Sequence, residues 1–385
     1  MTARDPRERA RASSPLELLF DLTFVVAVSS LVAQLAIGLE HGNYADIGPF
    51  LMVFFAIWWA WMNFTWFASA FDTDDVPYRV LTMLQMVGVL ILAAGVPAAF
   101  SSENYIGITI GYLVMRVGLV AQWSRAAVEE PSTRTTAIRF ALGVSVVQVG
   151  WVSRLWMPAS IQTIAFLVLV LLEISVPFWA ERTGMTRWHP HHIAERYGLF
   201  TIILLGESVL AATSGVQAAI AHGVSWPLVT VAVSGVVILF ALWWLFFLEP
   251  SGDGLERHPG RSFFWGYGHY FIFAALAAIG AGLEVAVRGA AGDVAPTVAG
   301  FAVAIPVAVF ILLVWLVNLP VVARPVLRPF VVVPGAAVVL GIPLAATVIG
   351  LTWTIVLIAL VCVGVVAGTI AAKLRHVRKL EQRVA

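Results

Sequence analysis

Residues 192–208 read His-Ile-Ala-Glu-Arg-Tyr-Gly-Leu-Phe-Thr-Ile-Ile-Leu-Leu-Gly-Glu-Ser, an apolar run that opens with charged residues and carries an acid near its far end. Similar runs recur along the chain, each about as long as the roughly 20 residues that a helix needs to cross a bilayer. The 385 residues are 60% hydrophobic and only 12% charged, whereas a soluble domain is about 25% charged. The sequence therefore predicts an all-α polytopic membrane protein, because the runs are continuous and lack the alternation of a membrane β-barrel.

The number and direction of the spans follow from the apolar runs and from the basic residues between them. Loops that carry more Lys and Arg lie on the cytoplasmic side. With the amino terminus inside, only Arg154 and Arg288 of the 23 Lys and Arg residues fall on the outside. We therefore expect both termini in the cytoplasm. The predicted spans are twelve, at about residues 16–37, 47–69, 78–98, 105–126, 135–155, 159–180, 193–215, 226–248, 263–285, 296–317, 328–348 and 352–373.

The two halves of the chain, residues 1–187 and 188–385, resemble each other weakly but in register. Six spans per half is an even number, so the two repeats would share one orientation in the membrane, as in transporters built from parallel repeats. Chance matches between apolar helices are the alternative explanation. The pairs matched at one constant offset are Glu17 with Glu195, Thr23 with Thr201, and Ser30 with Ser208. In addition, the third span of each half has a glycine near its outer end, Gly95 and Gly282.

Small and polar residues form a stripe on spans one and seven. Thr23 and Ser30 lie on one face of span one, and Thr201 and Ser208 lie on the matching face of span seven. Such a stripe has two interpretations. It is typical of close helix packing through small residues and hydrogen bonds, and it also fits the wall of a polar pathway for a substrate or an ion.

Glu207 is the acid that we predict to lie near the middle of span seven. A carboxylate at that depth is costly, so it marks a proton site, a cation site or a substrate anchor, or else it is a buried carboxyl that is protonated or paired. Arg116, in the middle of span four, is its candidate partner. Glu17 and Asp21 at the start of span one, and Asn63 among the tryptophans of span two, are further candidates for the pathway.

Two polar segments would lie at the cytoplasmic mouth of such a pathway. The loop residues Asp72, Asp74 and Asp75 precede Pro77, which favours a helix cap and also allows a cation-concentrating role. At the start of span seven stand His192, Glu195 and Arg196. The spacing of His192 and Glu195 is compatible with a metal site, but the sequence contains no recognised metal or phosphate motif. We predict no metal, no cofactor and no catalytic residue.

Several of these stretches resemble the bacterial low temperature requirement protein A (LtrA) family. The resemblance covers nearly the whole chain and weakens after about Glu284. It implies a multi-pass protein of the bacterial cytoplasmic (inner) membrane, and it brings no established reaction or substrate. The matching stretches are Glu17–Ser30, Trp58–Phe67, Phe71–Asp75, His192–Phe200 and Leu205–Leu210.

Span one has a second, more distant likeness. The stretch from Asp21 to Ser29 resembles the Phe-Ser-Asp first helix of lysosomal-type potassium channels, which lines the pore in each six-span repeat. Here Phe20 directly precedes Asp21, and Leu199 occupies the Asp position in span seven. The likeness implies an architecture more than an ion.

We therefore expect a transporter or a channel-like protein with a polar pathway near helices one and seven. The alternatives are a non-catalytic membrane protein of stress adaptation and a membrane-embedded enzyme that uses the segment from His189 to Glu195. The expected partners are the lipid bilayer and a small ion or small molecule as substrate. We expect no nucleic acid, and homo-oligomerisation stays open.

Overall fold

The computed structural model describes residues 1–3, 12–220, 223, 225–249, 251–322 and 325–384. Within these ranges the chain is helical apart from its loops and one short antiparallel strand pair, β1 (Thr2–Ala3) with β2 (Phe71–Asp72). The helices are α1 (Pro15–Glu40), α2 (Ile47–Ala70), α3 (Val76–Ser102), α4 (Ile106–Glu129), α5 (Arg134–Ser153), α6 (Ala159–Ala180), α7 (Pro190–Ile220), α8 (Trp226–Phe247), α9 (Ser251–Arg257), α10 (Ser262–Gly289), α11 (Pro296–Asn318), α12 (Pro329–Gly341) and α13 (Ala346–Val384).

Eleven stretches of the described chain are long and apolar enough to cross a membrane. The first ten coincide with the first ten predicted spans to within a few residues at most of their ends. The eleventh, residues 329–375, is 47 residues long and contains both of the last two predicted spans. As one straight helix it would measure about 70 Å, more than twice the hydrocarbon thickness of about 30 Å.

The chain reverses direction within this last stretch. Gly335 of α12 packs against Val365 of α13, and Val331 packs against Gly368, so the two helices run antiparallel. Residues 342–345 join the two helices, and Gly350 breaks the first turns of α13: its φ of 80° lies in the left-handed region that favours glycine. With 13 residues, α12 is about 20 Å long, shorter than the hydrocarbon core.

The chain forms two compact units that do not coincide with the halves predicted from sequence. The first unit comprises Met1–Leu31 and Met52–Arg196, and the second comprises Val32–Leu51 and Tyr197–Ala385. Residues 32–51, from the end of α1 to the start of α2, thus belong with the second half of the chain. The duplication at 1–187 and 188–385 stays a prediction.

Glycines bring two helix pairs into backbone contact. In the first unit, Gly107 and Gly111 of α4 face Gly95 and Gly88 of α3, and a Cβ at Gly95 would lie 2.7 Å from the backbone N of Ile108. In the second unit, Gly282 of α10 meets the backbone of α11. Lipid tails are as apolar as the side chains, so helices in a membrane associate by such close packing more than by the hydrophobic effect.

Candidate functional site

The start of α1 is held by a reciprocal capping interaction. The backbone N of Ser14 donates to Glu17 Oε2 at 2.7 Å, and the backbone N of Glu17 donates to Ser14 Oγ at 3.2 Å. This capping box satisfies two amide groups that a helix start leaves unpaired. It also fixes the carboxylate of Glu17 at the first turn of α1, with its other oxygen directed to α7.

The centre of the site, which we call the charged cluster, consists of Glu17, Asp21, His192 and Arg196. Arg196 Nη1 lies 3.3 Å from Glu17 Oε1, and Arg196 Nη2 donates to Asp21 Oδ1. His192 Nε2 lies 3.2 Å from Glu17 Oε1. All four side chains are fully buried in the first unit.

Helix α2 supplies the other side of the charged cluster. Trp61 Nε1 donates to Asp21 Oδ1 at 2.7 Å, and Arg196 Nη2 donates to Thr65 Oγ1 at 3.3 Å. Both residues are buried near the last third of α2. Trp61 thus contacts the charged cluster, while Trp58 and Trp59 pack against Phe55.

His189 and His192 form the hydrogen bonds that hold the start of α7, and the bond from His189 reaches α2. The backbone N of His189 donates to Ser69 Oγ at 3.0 Å, and the backbone N of His192 donates to His189 Nδ1 at 3.3 Å. These bonds orient the first turn of α7. They hold the imidazole of His192 beside Glu17.

The charged cluster contains more carboxylates than fixed cations. Among the residues that the structure describes, Glu17 and Asp21 share the guanidinium of Arg196, so these three side chains carry one unbalanced negative charge and a second positive charge would neutralise it. His192 supplies it when protonated. The second oxygen of Asp21, Oδ2, is buried and accepts no hydrogen bond from any residue that the structure describes. It is therefore an open acceptor for a proton or a cation.

A second buried network surrounds Arg116 in the first unit. Arg116 Nη2 lies 2.9 Å from Glu173 Oε2, and Trp151 Nε1 donates to Glu173 Oε1 at 3.1 Å. The hydroxyl of Tyr112 donates to Glu173 and accepts from Arg116. The pairing of Arg116 with Glu207 was wrong: its carboxylate partner is Glu173.

Glu207 is buried in α7, as the sequence predicts, and belongs to the second unit. Beside it, Ser208 Oγ donates to Leu204 O at 3.0 Å and lies 3.3 Å from Leu276 O of α10. A Cβ at Gly280 would lie 3.1 Å from Ser208 Oγ, so α10 approaches α7 closely here. For Ser208, these contacts favour the packing interpretation of the polar stripe.

The remaining polar side chains of the stripe bond to their own helices. Thr23 Oγ1 donates to Phe20 O, Ser30 Oγ to Val26 O, and Thr201 Oγ1 to Tyr197 O. Asn63 Nδ2 likewise donates to Trp59 O at 2.7 Å. A hydroxyl that donates to the preceding turn satisfies its donor and leaves its lone pairs available as acceptors.

Two carboxylates of the acidic loop before α3 are paired with arginines. Asp75 caps α3 by accepting the backbone N of Tyr78 at 3.0 Å, which confirms the predicted cap, and its carboxylate pairs with both Nη atoms of Arg125. The hydrogen bonds from Arg125 lower the pKa of Asp75 to about 2. Arg79 holds Asp74 with two bonds and lowers its pKa below the ordinary value. The side chain of Asp72 lies outside the described residues.

His192 and Glu195 point to different partners. His192 joins the charged cluster, whereas Glu195 is exposed and its Oε1 accepts the backbone N of Ser13 at 3.3 Å. No group of three or more His, Cys, Asp or Glu side chains that could hold a metal ion occurs within the described part of the chain.

Sequence reasoning found all four members of the charged cluster but did not join them. The signal was present: Glu17 and Asp21 are four residues apart, as are His192 and Arg196, so each pair lies on one helix face. Sequence reasoning did not assign Glu173 as the partner of Arg116. The Gly107-x-x-x-Gly111 pattern, which is typical of close membrane-helix packing, was missed.

Comparison with known proteins agrees with this architecture. The family described as bacterial low temperature requirement A protein (LtrA) matches residues 12–367. A protein of Rhizobium meliloti (strain 1021), named only as uncharacterized, is 24% identical over 291 residues, which cover 71% of this chain and 69% of the relative. Because the family match takes in all eleven apolar stretches, at least in part, the chain belongs to the LtrA family of multi-pass membrane proteins.

Proposed function

We propose that this protein transports a proton or a small monovalent cation, as a carrier or a channel, by way of the charged cluster of α1 and α7. Buried charges are retained in a membrane protein where they pair or where they serve an ion pathway. One carboxylate would be enough to pair Arg196. The second carboxylate, Asp21, adds the desolvation cost of another buried charge.

The observation that carries the proposal is the open Oδ2 of Asp21. A buried carboxylate oxygen without a donor costs free energy, of the order of 1–3 kcal/mol or more for a charged group. A transported proton or cation that binds there would offset that cost. His192, beside Glu17, gives a second protonatable group in the same cluster, so a proton can move between the two sides of Arg196.

We propose further that the chain crosses the bacterial inner membrane twelve times, with both termini in the cytoplasm. The reversal between α12 and α13 supports two crossings in the last apolar stretch. The distribution of Lys and Arg supports the direction. The charged cluster would then lie one to two turns inside the cytoplasmic ends of α1 and α7.

A duplication into two six-helix repeats is part of the same proposal. In the first unit α3 meets α4 at Gly95, and in the second unit α10 meets α11 at Gly282. Each of these glycines lies near the predicted outer end of the third span of its half. Close crossings at comparable places support a duplication, in which α1 and α7 are the first helices of the repeats.

Glu207 is the second acid that we assign to the pathway, with Ser208, Thr201, Thr23 and Ser30 as polar lining. The carboxylate is buried near the middle of α7, three helical turns from the charged cluster. A proton or cation that leaves the cluster along α7 would meet it next. We assign Glu207 to the pathway from its position along α7, and the transport experiment therefore includes a Glu207 variant.

Flux through the purified full-length protein tests the proposal. Proteoliposomes that contain a pH-sensitive dye receive gradients of H⁺, K⁺ and Na⁺ in turn. We expect flux of at least one ion above that of protein-free vesicles. Asp21→Asn keeps the shape of the side chain but removes the charge, and it should reduce this flux to background. Glu207→Gln should do the same.

Glu129→Gln is the matched control, because it removes a carboxylate from an exposed ion pair of the same unit, outside the predicted pathway, and should leave flux unchanged. All variants are checked for an unchanged elution volume in detergent. Parental flux in Asp21→Asn would remove the charged cluster from the mechanism. Parent vesicles that behave like empty vesicles for all three ions would refute cation transport.

A non-transporting membrane protein of stress adaptation is the second candidate. It is favoured by the contact of Ser208 with Leu276 and Gly280, in which a polar residue serves helix packing. Under this alternative Glu207→Leu folds at least as well as the parent. A melting temperature in detergent that falls in Glu207→Leu would count against it.

A further inference from the structure

A groove at one end of the second unit is lined by two arginines from different parts of the chain. It has a volume of ≈410 Å³, and Arg328 and Arg375 form its polar wall. Arg328 directly precedes α12, while Arg375 lies near the carboxyl-terminal end of α13. The two side chains meet in one groove because α12 and α13 run antiparallel, so the start of one lies beside the end of the other.

The rest of the groove is apolar or small. Phe330 and Val331 of α12 and Gly368, Ala371 and Ala372 of α13 form it. A Cβ at Gly368 would lie 3.1 Å from Val331 Cγ1, so the absence of a side chain there permits the close approach of the helices. The exposed ring of Phe330 is 69% accessible. An occupant must therefore present both an anionic group and an apolar part.

The arginines are available to a ligand. Within the described residues, neither Arg328, Lys373 nor Arg375 forms an ion pair with a carboxylate. Glu249 interacts electrostatically with Arg328 and Lys373. Its Oε1 accepts a hydrogen bond from the backbone N of Leu327 at 2.8 Å. Three cations against one carboxylate leave a local charge of about +2, by the formal charges of these groups.

The residues that follow the groove in the chain carry further positive charge. Residues 373–383 contain Lys373, Arg375, Arg378, Lys379 and Arg383 against the single acid Glu381. The side chains beyond Arg375 lie outside the described residues. Clusters of about four to eight basic residues directly after a membrane helix attract anionic lipids, and basic pockets between helices bind their headgroups.

We propose that this groove binds the phosphodiester headgroup of an anionic glycerophospholipid. The guanidinium groups of Arg328 and Arg375 bind the phosphate oxygens, for which the planar fork of arginine is well suited. The amino-terminal end of α12, which no side chain caps, adds backbone N–H dipoles of the favourable sign. The acyl chains leave the headgroup along Phe330 and Val331 into the bilayer. This site is independent of the proposed ion pathway.

Lipid binding to the full-length protein in a neutral detergent tests the inference. Phosphatidylglycerol is titrated against the protein, phosphatidylcholine serves as the uncharged comparison, and bound lipid is counted by native mass spectrometry. We expect phosphatidylglycerol to bind more tightly than phosphatidylcholine. The double variant R328Q/R375Q should weaken it about 10- to 30-fold, from roughly 1 kcal/mol for each basic residue at the membrane surface.

Two further variants distinguish lipid binding in the groove from non-specific attraction of the lipid by positive charge. R182Q/R187Q removes two exposed arginines elsewhere on the chain and should leave phosphatidylglycerol binding unchanged. R328K/R375K keeps the charge but loses the fork, so it should bind with intermediate affinity. Equal binding of phosphatidylglycerol to the parent and to R328Q/R375Q would overturn the inference. So would complete displacement of the lipid by inorganic phosphate at equal concentration, because the site would then be a phosphate site.

Discussion

At the scale of single residues, Arg196 depends on partners from another helix. Its side chain is fully buried, and a buried guanidinium costs free energy unless it is paired and hydrogen-bonded. Glu17 and Asp21 of α1 offset that cost. Removal of either acid would therefore leave a buried cation with fewer partners.

The titration of Asp75 makes the stability of the fold depend on pH. Its pKa is about 2 in the folded protein and about 3.9 for an unpaired aspartate. The ion pair with Arg125 therefore stabilises the fold fully above about pH 4, and this contribution is lost as the pH falls towards 2. The side chain is 43% exposed, so solvent screening limits the effect to about 1 kcal/mol or less.

We expect Asp75→Asn, which retains the cap acceptor, to lower the melting temperature at pH 7 by a small amount that decreases as the pH falls from about 4 to about 2. Asp75→Ala should lower it further at pH 7, since the loss of a cap costs about 1 kcal/mol. Thermal unfolding in detergent between pH 2 and pH 7 measures both. A difference between Asp75→Asn and the parent that is as large at pH 2 as at pH 7 would contradict the ion-pair explanation.

At the scale of the elements, glycine spacing decides how α3 and α4 cross. A Cβ at Gly111 would lie 2.7 Å from Leu92 Cα, a backbone atom that cannot move without shifting the helix. Hydropathy shows that both helices exist, but their separation depends on these small residues. The Gly107-x-x-x-Gly111 pattern is readable from sequence, whereas its partners Gly88 and Gly95 are identified only by the helix crossing.

Gly111→Ala should therefore destabilise the protein, by about 1–3 kcal/mol, the usual cost of overpacking. Gly364→Ala is the matched control: it also lies within an apolar helix, and a Cβ there would meet no heavy atom within 4 Å. Its melting temperature should equal or exceed that of the parent, because alanine is the better helix former. Equal melting temperatures for Gly111→Ala and the parent would show that α3 and α4 have room to separate.

At the scale of the whole molecule, the number of membrane crossings depends on the turn between α12 and α13. If residues 329–375 cross twice, Leu344 in that turn lies outside the cell, on the side opposite to the loop between α4 and α5. Leu344 is exposed, and the single native Cys362 is buried and should react little. Introduced cysteines can therefore report the side directly.

Leu344→Cys should be labelled by a membrane-impermeant maleimide in cells whose outer membrane alone is permeabilised, and Ser132→Cys should be labelled only after lysis. The unsubstituted protein gives the background from Cys362. Labelling of Leu344→Cys that requires lysis would reduce the crossings to eleven and place the termini on opposite sides.

The sequence by itself determined the class of protein, ten of the helices to within a few residues at most of their ends, the cap of α3 and the family. These are local properties, read from hydropathy over a single helix or from a few adjacent residues. Only the tertiary structure decided that Arg116 pairs with Glu173, 57 residues away, and that Arg196 pairs with Asp21, 175 residues away. It also assigned residues 32–51 to the second unit. Spacing along the chain shows which residues share a helix face, but the partner of that face depends on the rotation and crossing of helices, which are set by packing along their whole length.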